Sequence, residues 1–152
     1  AEPFRRLMET NVMGTVYGLT NLLPIMRRRG SGHIAVVSSL AGYRGLPTSA
    51  AYGASKAALI NMCEALRPES DAMGIKLQVI TPGFVETPLT DQNDFKMPFL
   101  VTVDEATDQI MRGLASDRFE VSFPRSFALI MKALRILPDR LFFVVTRRMI
   151  KP

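Results

Sequence analysis

His33-Ile-Ala-Val-Val-Ser38 is a short, nearly continuous apolar run rich in β-branched side chains, and it reads as a strand covered on both faces. A second such run, Lys76-Leu-Gln-Val-Ile-Thr81, closes on Pro82-Gly83. Between them, from Ala50 to Met73, the apolar residues keep a helical period, with Ala51, Ala54, Ser55 and Ala58 on a small-residue face and Gly74 as a stop. Strand, helix and strand in that order predict two parallel strands joined by a crossover helix. Pro68, inside the helical pattern, is expected to disturb its last turns.

Upstream, Phe4, Leu7, Met8, Val12, Val16, Leu19, Leu22 and Leu23 recur at three- and four-residue steps, an amphipathic helix from Pro3 to Met26. Pro24 is expected to kink or shorten its last turn, and Arg27-Arg28-Arg29 before Gly30 suit a solvated helix C-terminus. Downstream, residues 84–101 keep no period and read as a mobile loop with one helical turn. Thr102-Val-Asp-Glu105 is a capping box that opens a helix to about Leu114, and Phe119 to Phe123 alternates as a strand.

The chain has 152 residues, 47% hydrophobic and 22% charged, enough apolar material for one globular core. Disorder and a disulfide scaffold are excluded by composition, since Cys63 is the single cysteine. His33 is the single histidine, which removes Ser-His-Asp chemistry and leaves no metal-ligand spacing. No stretch approaches the roughly 20 apolar residues of a membrane span, so a reducing, cytoplasmic setting is the expectation. The net charge of +5 is concentrated in residues 125–152, which alone carry +6, and this argues against a nucleic-acid-binding surface.

Tyr52 and Lys56 lie four apart on the second helix, so their side chains rise as neighbours from one face. An ammonium near a phenol favours the phenolate and makes the hydroxyl a usable proton donor and acceptor. Ser38 and Ser39 stand at the carboxyl end of the first strand, the edge where open parallel sheets place ligands. Pro82-Gly83-Phe-Val-Glu-Thr87 should open onto the same edge, and Asn11 sits among apolar positions of the first helix. Blander readings stand beside these: Asn11 as a satisfied core amide, Ser38 as a strand-end hydrogen bonder, Thr87 as a turn residue.

With Asn11-Val12-x-Gly14, the strand His33 to Ser39 with Ala41-Gly42, Tyr52-Gly-Ala-Ser-Lys56 and Pro82-Gly83-x-x-x-Thr87 in that order, the chain resembles the short-chain dehydrogenase/reductases. The resemblance is clear to about Pro88 and weaker beyond. It implies a partial, Rossmann-like, doubly wound parallel sheet in three α/β/α layers. It also implies NAD- or NADP-dependent oxidation or reduction of a secondary alcohol or carbonyl. Tyr52 would be the general acid or base, Lys56 would lower its pKa and hold the nicotinamide ribose, and Ser39 would hold the reacting oxygen. Asn11 would help position a water between Lys56 and solvent. Pro82, Gly83, Val85 and Thr87 would bind the carboxamide, and no metal is implied. A small carbonyl or alcohol substrate and a homodimer or homotetramer through the helices of Asn11 and Tyr52 follow by resemblance only, and a lipophilic substrate goes with a C-terminal tail that rests on lipid.

The family's Thr-Gly-x-x-x-Gly-x-Gly turn, which lets dinucleotide phosphates approach a helix N-terminus, does not occur in this chain. The resemblance therefore implies an incomplete chain, inactive alone, with 1–124 as the catalytic part of the domain and 125–152 as a basic, apolar helical tail. The alternative is a catalytically silent remnant serving as an interaction module. Arg67-Pro-Glu-Ser70 is a further departure, placing proline and serine where the helix would want a core-facing leucine. In the tail, Ser126 to Leu137 forms one helix, Pro138 breaks it, and Asp139 caps a second from Arg140 to Ile150. Two readings of it remain open: a hairpin packed over the substrate pocket or a partner subunit, or an interfacial pair in peripheral contact with anionic lipid.

Overall fold

The computed structural model describes residues 1–88, 90 and 97–150. Helix α1 (Glu2–Met8), a π-helical turn (Glu9–Met13) and α2 (Gly14–Arg29) form one continuous helical run. Strand β1 (Gly32–Val37), a 3-10 turn (Leu40–Gly42), α3 (Ala50–Ala72) and β2 (Ile75–Pro82) follow. The chain continues through α4 (Val103–Leu114), β3 (Glu120–Phe123), α5 (Arg125–Ile136) and α6 (Asp139–Arg147). The strands form a parallel sheet in the order β1-β2-β3, with Ile34 opposite Leu77 and Ile80 opposite Val121.

Central β2 is covered on both faces, as a near-continuous apolar strand must be. On one face Leu77 and Val79 meet Leu59, Ile60 and Cys63 of α3 and Leu19 of α2, and α5 adds Ala128 and Met131 to the same cluster. On the other, Ile80 joins Val121, Phe123 and Ala106 of α4, which makes three α/β/α layers. Each fully buried Leu or Ile in these clusters stabilises the fold by roughly 1.5–3 kcal/mol. Gln78, also fully buried, places its amide nitrogen on the carbonyls of Gly113, Ser116 and Arg118 while its oxygen meets His33 Nε2 at 2.7 Å. A polar side chain thus ties the loop after α4 to the sheet at no cost in unmade hydrogen bonds.

Strand β1 differs from its expected reading. Ile34 and Val36 are buried, but His33, Ala35 and Val37 are exposed, so one face is covered and not both. The reason is position: α4 packs over β2 and β3, and β1 is an edge strand of the described sheet. The first helix likewise buries only Leu19 completely, leaving Phe4 and Leu22 exposed although they share its apolar period.

Neither proline ends its helix. Pro24 and Pro68 lie inside α2 and α3, and α3 runs on to Ala72. Both prolines are exposed, as are Thr20 and Glu64 four residues before them, so the carbonyls that lose a partner face water. Gly30 ends α2 with φ 68°, and Gly74 turns at φ 71° against the Gly30 carbonyl, where a side chain would sit 2.4 Å from that oxygen. Ser70 does point into the core, and its buried hydroxyl has no hydrogen-bond partner among the described residues.

The capping box of α4 is complete, with Thr102 and Glu105 bonding each other's backbone N–H. Asp139, in contrast, makes no capping bond in α6, and its carboxylate pairs with Arg44 at 2.5 Å. In the loop, Val85 pairs with Val101 in an isolated parallel bridge. The rest of the stretch read as mobile includes positions 89 and 91–96, which lie outside the described residues, as does Lys151 of the tail.

Glycine positions give a paired test of this packing. A Cβ on Gly113 would stand 2.2 Å from Val121 Cγ1, whereas one on Gly18 would meet nothing within 4 Å. Gly113→Ala should destabilise by about 1–3 kcal/mol, and Gly18→Ala, mid-helix and unobstructed, should stabilise by about 0.5–1 kcal/mol. Urea denaturation of the two variants, giving opposite signs, checks both assignments.

Candidate active site

The C-terminal ends of β1 and β2 meet the N-terminal half of α3, and backbone contact fixes how closely. A Cβ on Gly42 would lie 2.8 Å from the Lys56 carbonyl carbon and 2.9 Å from Ala57 N, so the 3-10 turn can press against α3 only as glycine. From the helix side, Gly53 faces the Ala41 carbonyl, 3.2 Å from where its Cβ would be. Ser38, buried at the strand end, donates its hydroxyl to the Lys56 carbonyl at 2.8 Å. It is a strand-end hydrogen bonder, and its bond sets α3 against β1.

Three of the residues singled out in the sequence converge there. Ser39 is 8% exposed; its Oγ accepts from Ala41 N at 3.2 Å and donates to the Pro82 carbonyl at 3.4 Å, linking the ends of β1 and β2. Lys56 extends back to the end of β1, where Nζ donates to the Val37 carbonyl at 3.1 Å. Burial pulls the Lys56 pKa below the ordinary lysine value. Tyr52, one turn earlier and 39% exposed, presents its ring 5.7 Å from the Lys56 ammonium, and its hydroxyl makes no hydrogen bond among the described residues.

Asn11 arrives by a different route. It lies in the π-helical turn, half-buried, and Nδ2 donates to Ser55 Oγ at 3.0 Å. Ser55, fully buried, donates in turn to the Tyr52 carbonyl at 2.8 Å. Asn11 thus fixes α3 between Tyr52 and Lys56 through Ser55, and no direct bond joins it to Lys56 among the described residues. Ser55 was visible in the sequence only as one small residue of a helix face; a serine between Tyr52 and Lys56 on a buried stripe was the available signal.

Beyond β2, Gly83 has no room for a side chain, with Phe127 Cδ1 2.8 Å from the Cβ position. Its N–H donates to the Phe123 carbonyl at 2.7 Å. Phe127 stacks between Phe84 and Phe99, at 5.7 and 5.6 Å between centroids, an apolar wall beside the Pro82-Gly83 turn. Val85 is held by its bridge to Val101. Thr87 is engaged by Thr90, which accepts its N–H at 2.8 Å and shares its hydroxyl at 3.3 Å, a turn residue in this arrangement. Among the described residues no cluster of side chains suits a metal ion.

The profile of the short chain dehydrogenase family matches residues 1–97. An uncharacterized oxidoreductase of Myxococcus xanthus is 41% identical over 148 residues, which are 97% of this chain and 58% of that protein. Dehydrogenase/reductase SDR family member 7B of Danio rerio is 45% identical over 83 residues, 55% of this chain and 27% of that one. In three dimensions, a short chain dehydrogenase from Burkholderia cenocepacia, crystallised in complex with NADP, superposes with a TM-score of 0.83 at 26% identity, covering 95% of this chain and 61% of that chain. This chain therefore spans a little over half the length of the relatives it matches along most of its length.

The other tyrosines are held neutral by their surroundings. Tyr43 is buried, and its hydroxyl donates to the Glu120 carboxylate and meets Thr81 at 3.3 Å; burial first, then Glu120, raises its pKa above the ordinary phenol value. Tyr17 is raised by its bond to Glu9. A raised folded-state pKa means stability that is complete below the unfolded tyrosine value near 10 and is lost as pH rises through the folded one. Tyr43→Phe should therefore lower stability at neutral pH, by about 0.5–1.5 kcal/mol for the lost hydrogen bond, and flatten its decline above pH ~10. Denaturation midpoints between neutrality and alkaline pH, in parent and variant, check the slope.

Proposed function

The chain belongs to the short-chain dehydrogenase family, and on that premise we propose that it is the catalytic portion of an NAD- or NADP-dependent oxidoreductase. The reaction is reduction of a carbonyl or oxidation of a secondary alcohol. The observation that carries this reading is the meeting of Ser39, Lys56 and Pro82 at the sheet edge beside the exposed Tyr52. Parallel sheets take ligands at that edge. The NADP of the similar Burkholderia protein supports a nicotinamide cofactor.

The residues present suit the nicotinamide end of such a cofactor: an ammonium, two hydroxyls and a turn at Gly83 that admits no side chain. Lys56 would hold the ribose, and Pro82, Gly83, Val85 and Thr87 the carboxamide, with Thr87 exchanging its bonds to Thr90. The bound cofactor supplies or accepts the hydride. Tyr52 Oη protonates the substrate oxygen in reduction and deprotonates the alcohol in oxidation. Ser39 Oγ donates to the same oxygen, giving up a long bond to Pro82 that is easily exchanged. Lys56 Nζ stands 5.7 Å from the Tyr52 ring on the same helix face, and Asn11, fixed by Ser55, helps position a water that passes the proton to solvent.

The Phe84, Phe99 and Phe127 wall favours a lipophilic substrate. Exposed Tyr17, Leu22 and Ile25 on α2 favour pairing of subunits, as a homodimer or homotetramer, through the helices of Asn11 and Tyr52. The single buried thiol, Cys63, whose pKa burial pushes up to about 11, is compatible with a cytoplasmic setting. Peripheral membrane contact through residues 125–152 belongs to the same proposal.

Tyr52→Phe in the intact protein keeps the ring and deletes the proton. Turnover of ketones with reduced nicotinamide cofactor should fall roughly 10²–10⁴-fold with cofactor affinity unchanged. Lys56→Ala should weaken both. The 152 residues alone should turn over nothing measurable, since a hydride donor without its phosphate and adenine contacts is poorly oriented. Near-parental turnover in Tyr52→Phe would overturn the assignment, and cofactor binding without turnover in the parent would favour the silent module.

A further inference from the structure

The two C-terminal helices bury little of what they carry. In α5 only Ala128 and Met131 are buried, and in α6 only Phe142 and Thr146. Outward they expose Leu129 at 68%, Ile130, Ile136 at 83%, Leu141, Phe143, Val144 and Val145. The arrangement is ordered along each helix. Leu129, Ala133 and Ile136 make one outward row of α5. In α6, Leu141 and Val145 form a row beside Arg140 and Val144, and Phe143 and Arg147 form the next.

The surface is preformed. Arg44, in the loop after β1, donates to the carbonyls of Leu134, Arg135 and Leu137 at the end of α5 and pairs with Asp139 at the start of α6. Its guanidinium also lies 3.9 Å from the centre of the Phe142 ring. One side chain thus fixes both helices to the core, so docking would order little new chain.

Charge selects the occupant. Lys132 is paired with Glu120 at 2.6 Å, Arg135 with Glu64 at 3.8 Å, and Asp139, the only acid in residues 125–152, with Arg44. Arg125, Arg140, Arg147 and Arg148 pair with no carboxylate among the described residues. A second copy of this face would bring like charges together, and nucleic acid would leave the apolar rows in water. A bilayer of anionic lipid offers apolar volume and anions at one boundary. No helix among the described residues is long and apolar enough to cross a membrane, so contact is in the plane of the interface.

We propose that the outward faces of α5 and α6 dock on anionic lipid bilayers, with Leu129, Ile136, Leu141 and Phe143 entering the acyl boundary and Arg125, Arg140, Arg147 and Arg148 among the headgroups. This rests on the peripheral contact proposed for residues 125–152 and not on the redox chemistry. The test is co-sedimentation of the intact protein with phosphatidylglycerol vesicles and with phosphatidylcholine vesicles at low salt. The parent should partition onto phosphatidylglycerol alone, and the variant Arg140→Gln/Arg147→Gln/Arg148→Gln should lose on the order of a hundredfold in partition. Leu129→Ser/Ile136→Ser, at exposed sites, should also weaken it while circular dichroism stays native. Tyr52→Phe should bind as the parent does, which separates this surface from the catalytic reading. Equal recovery of the parent in the supernatant with and without phosphatidylglycerol would overturn the proposal, as would equal binding to both lipids. Loss of self-association in Leu129→Ser/Ile136→Ser with vesicle binding left intact would overturn it too.

Discussion

The structure depends on how closely the end of β1 approaches α3. Gly42 lies against the backbone of Lys56 and Ala57, Ser38 bonds the Lys56 carbonyl, and Lys56 returns its ammonium to the Val37 carbonyl. These contacts join the same two segments from three directions, and they exclude any side chain larger than hydrogen at Gly42. Because the sheet sets where β1 ends and the turn sets the rotation of α3, Tyr52 and Ser39 take their places without a bond between them. A site held on rigid elements in this way keeps its geometry before any ligand arrives.

The same economy shows in the buried polar groups. Gln78, Ser55, Tyr43 and Thr81 are each placed where an apolar residue would pack, and each finds partners in neighbouring segments. Asn11 reaches Ser55 from a π-helical turn, a distortion of the first helix that coincides with the functional candidate it carries. Ser70, near the exposed Pro68, differs: its buried hydroxyl has no partner among the described residues. Ser55 and Ser70 make α3 a helix whose core face is partly polar, and that face is turned toward β1, β2 and the helical run bearing Asn11.

Arg44 plays for the C-terminal helices the part that Gly42 plays for α3. It satisfies carbonyls at the end of α5, where the helix leaves acceptors without intrahelical donors, and neutralises Asp139 at the start of α6. The helix pair is therefore fixed on its inner side by one guanidinium, the Ala128 and Met131 contacts and the Lys132–Glu120 and Arg135–Glu64 pairs, while its outer side keeps apolar and cationic groups in water.

By itself the sequence determined the order of elements, the parallel sheet, the three layers and the family. These follow from local pattern: β-branched runs, the helical period through Leu59 and Cys63, the capping box of Thr102 and Glu105, and the spacing of Ser39, Tyr52 and Lys56. Only the tertiary structure decided the rest. That β1 is covered on one face depends on where α4 packs, and that Pro24 and Pro68 are tolerated depends on which side of each helix meets water. Asp139 reads as a cap, yet an arginine ninety-five positions earlier holds it instead. Local period records which residues prefer burial, but it carries no information on which neighbour arrives from elsewhere in the chain, and those long-range arrivals set the edge, the partners and the charges left unpaired.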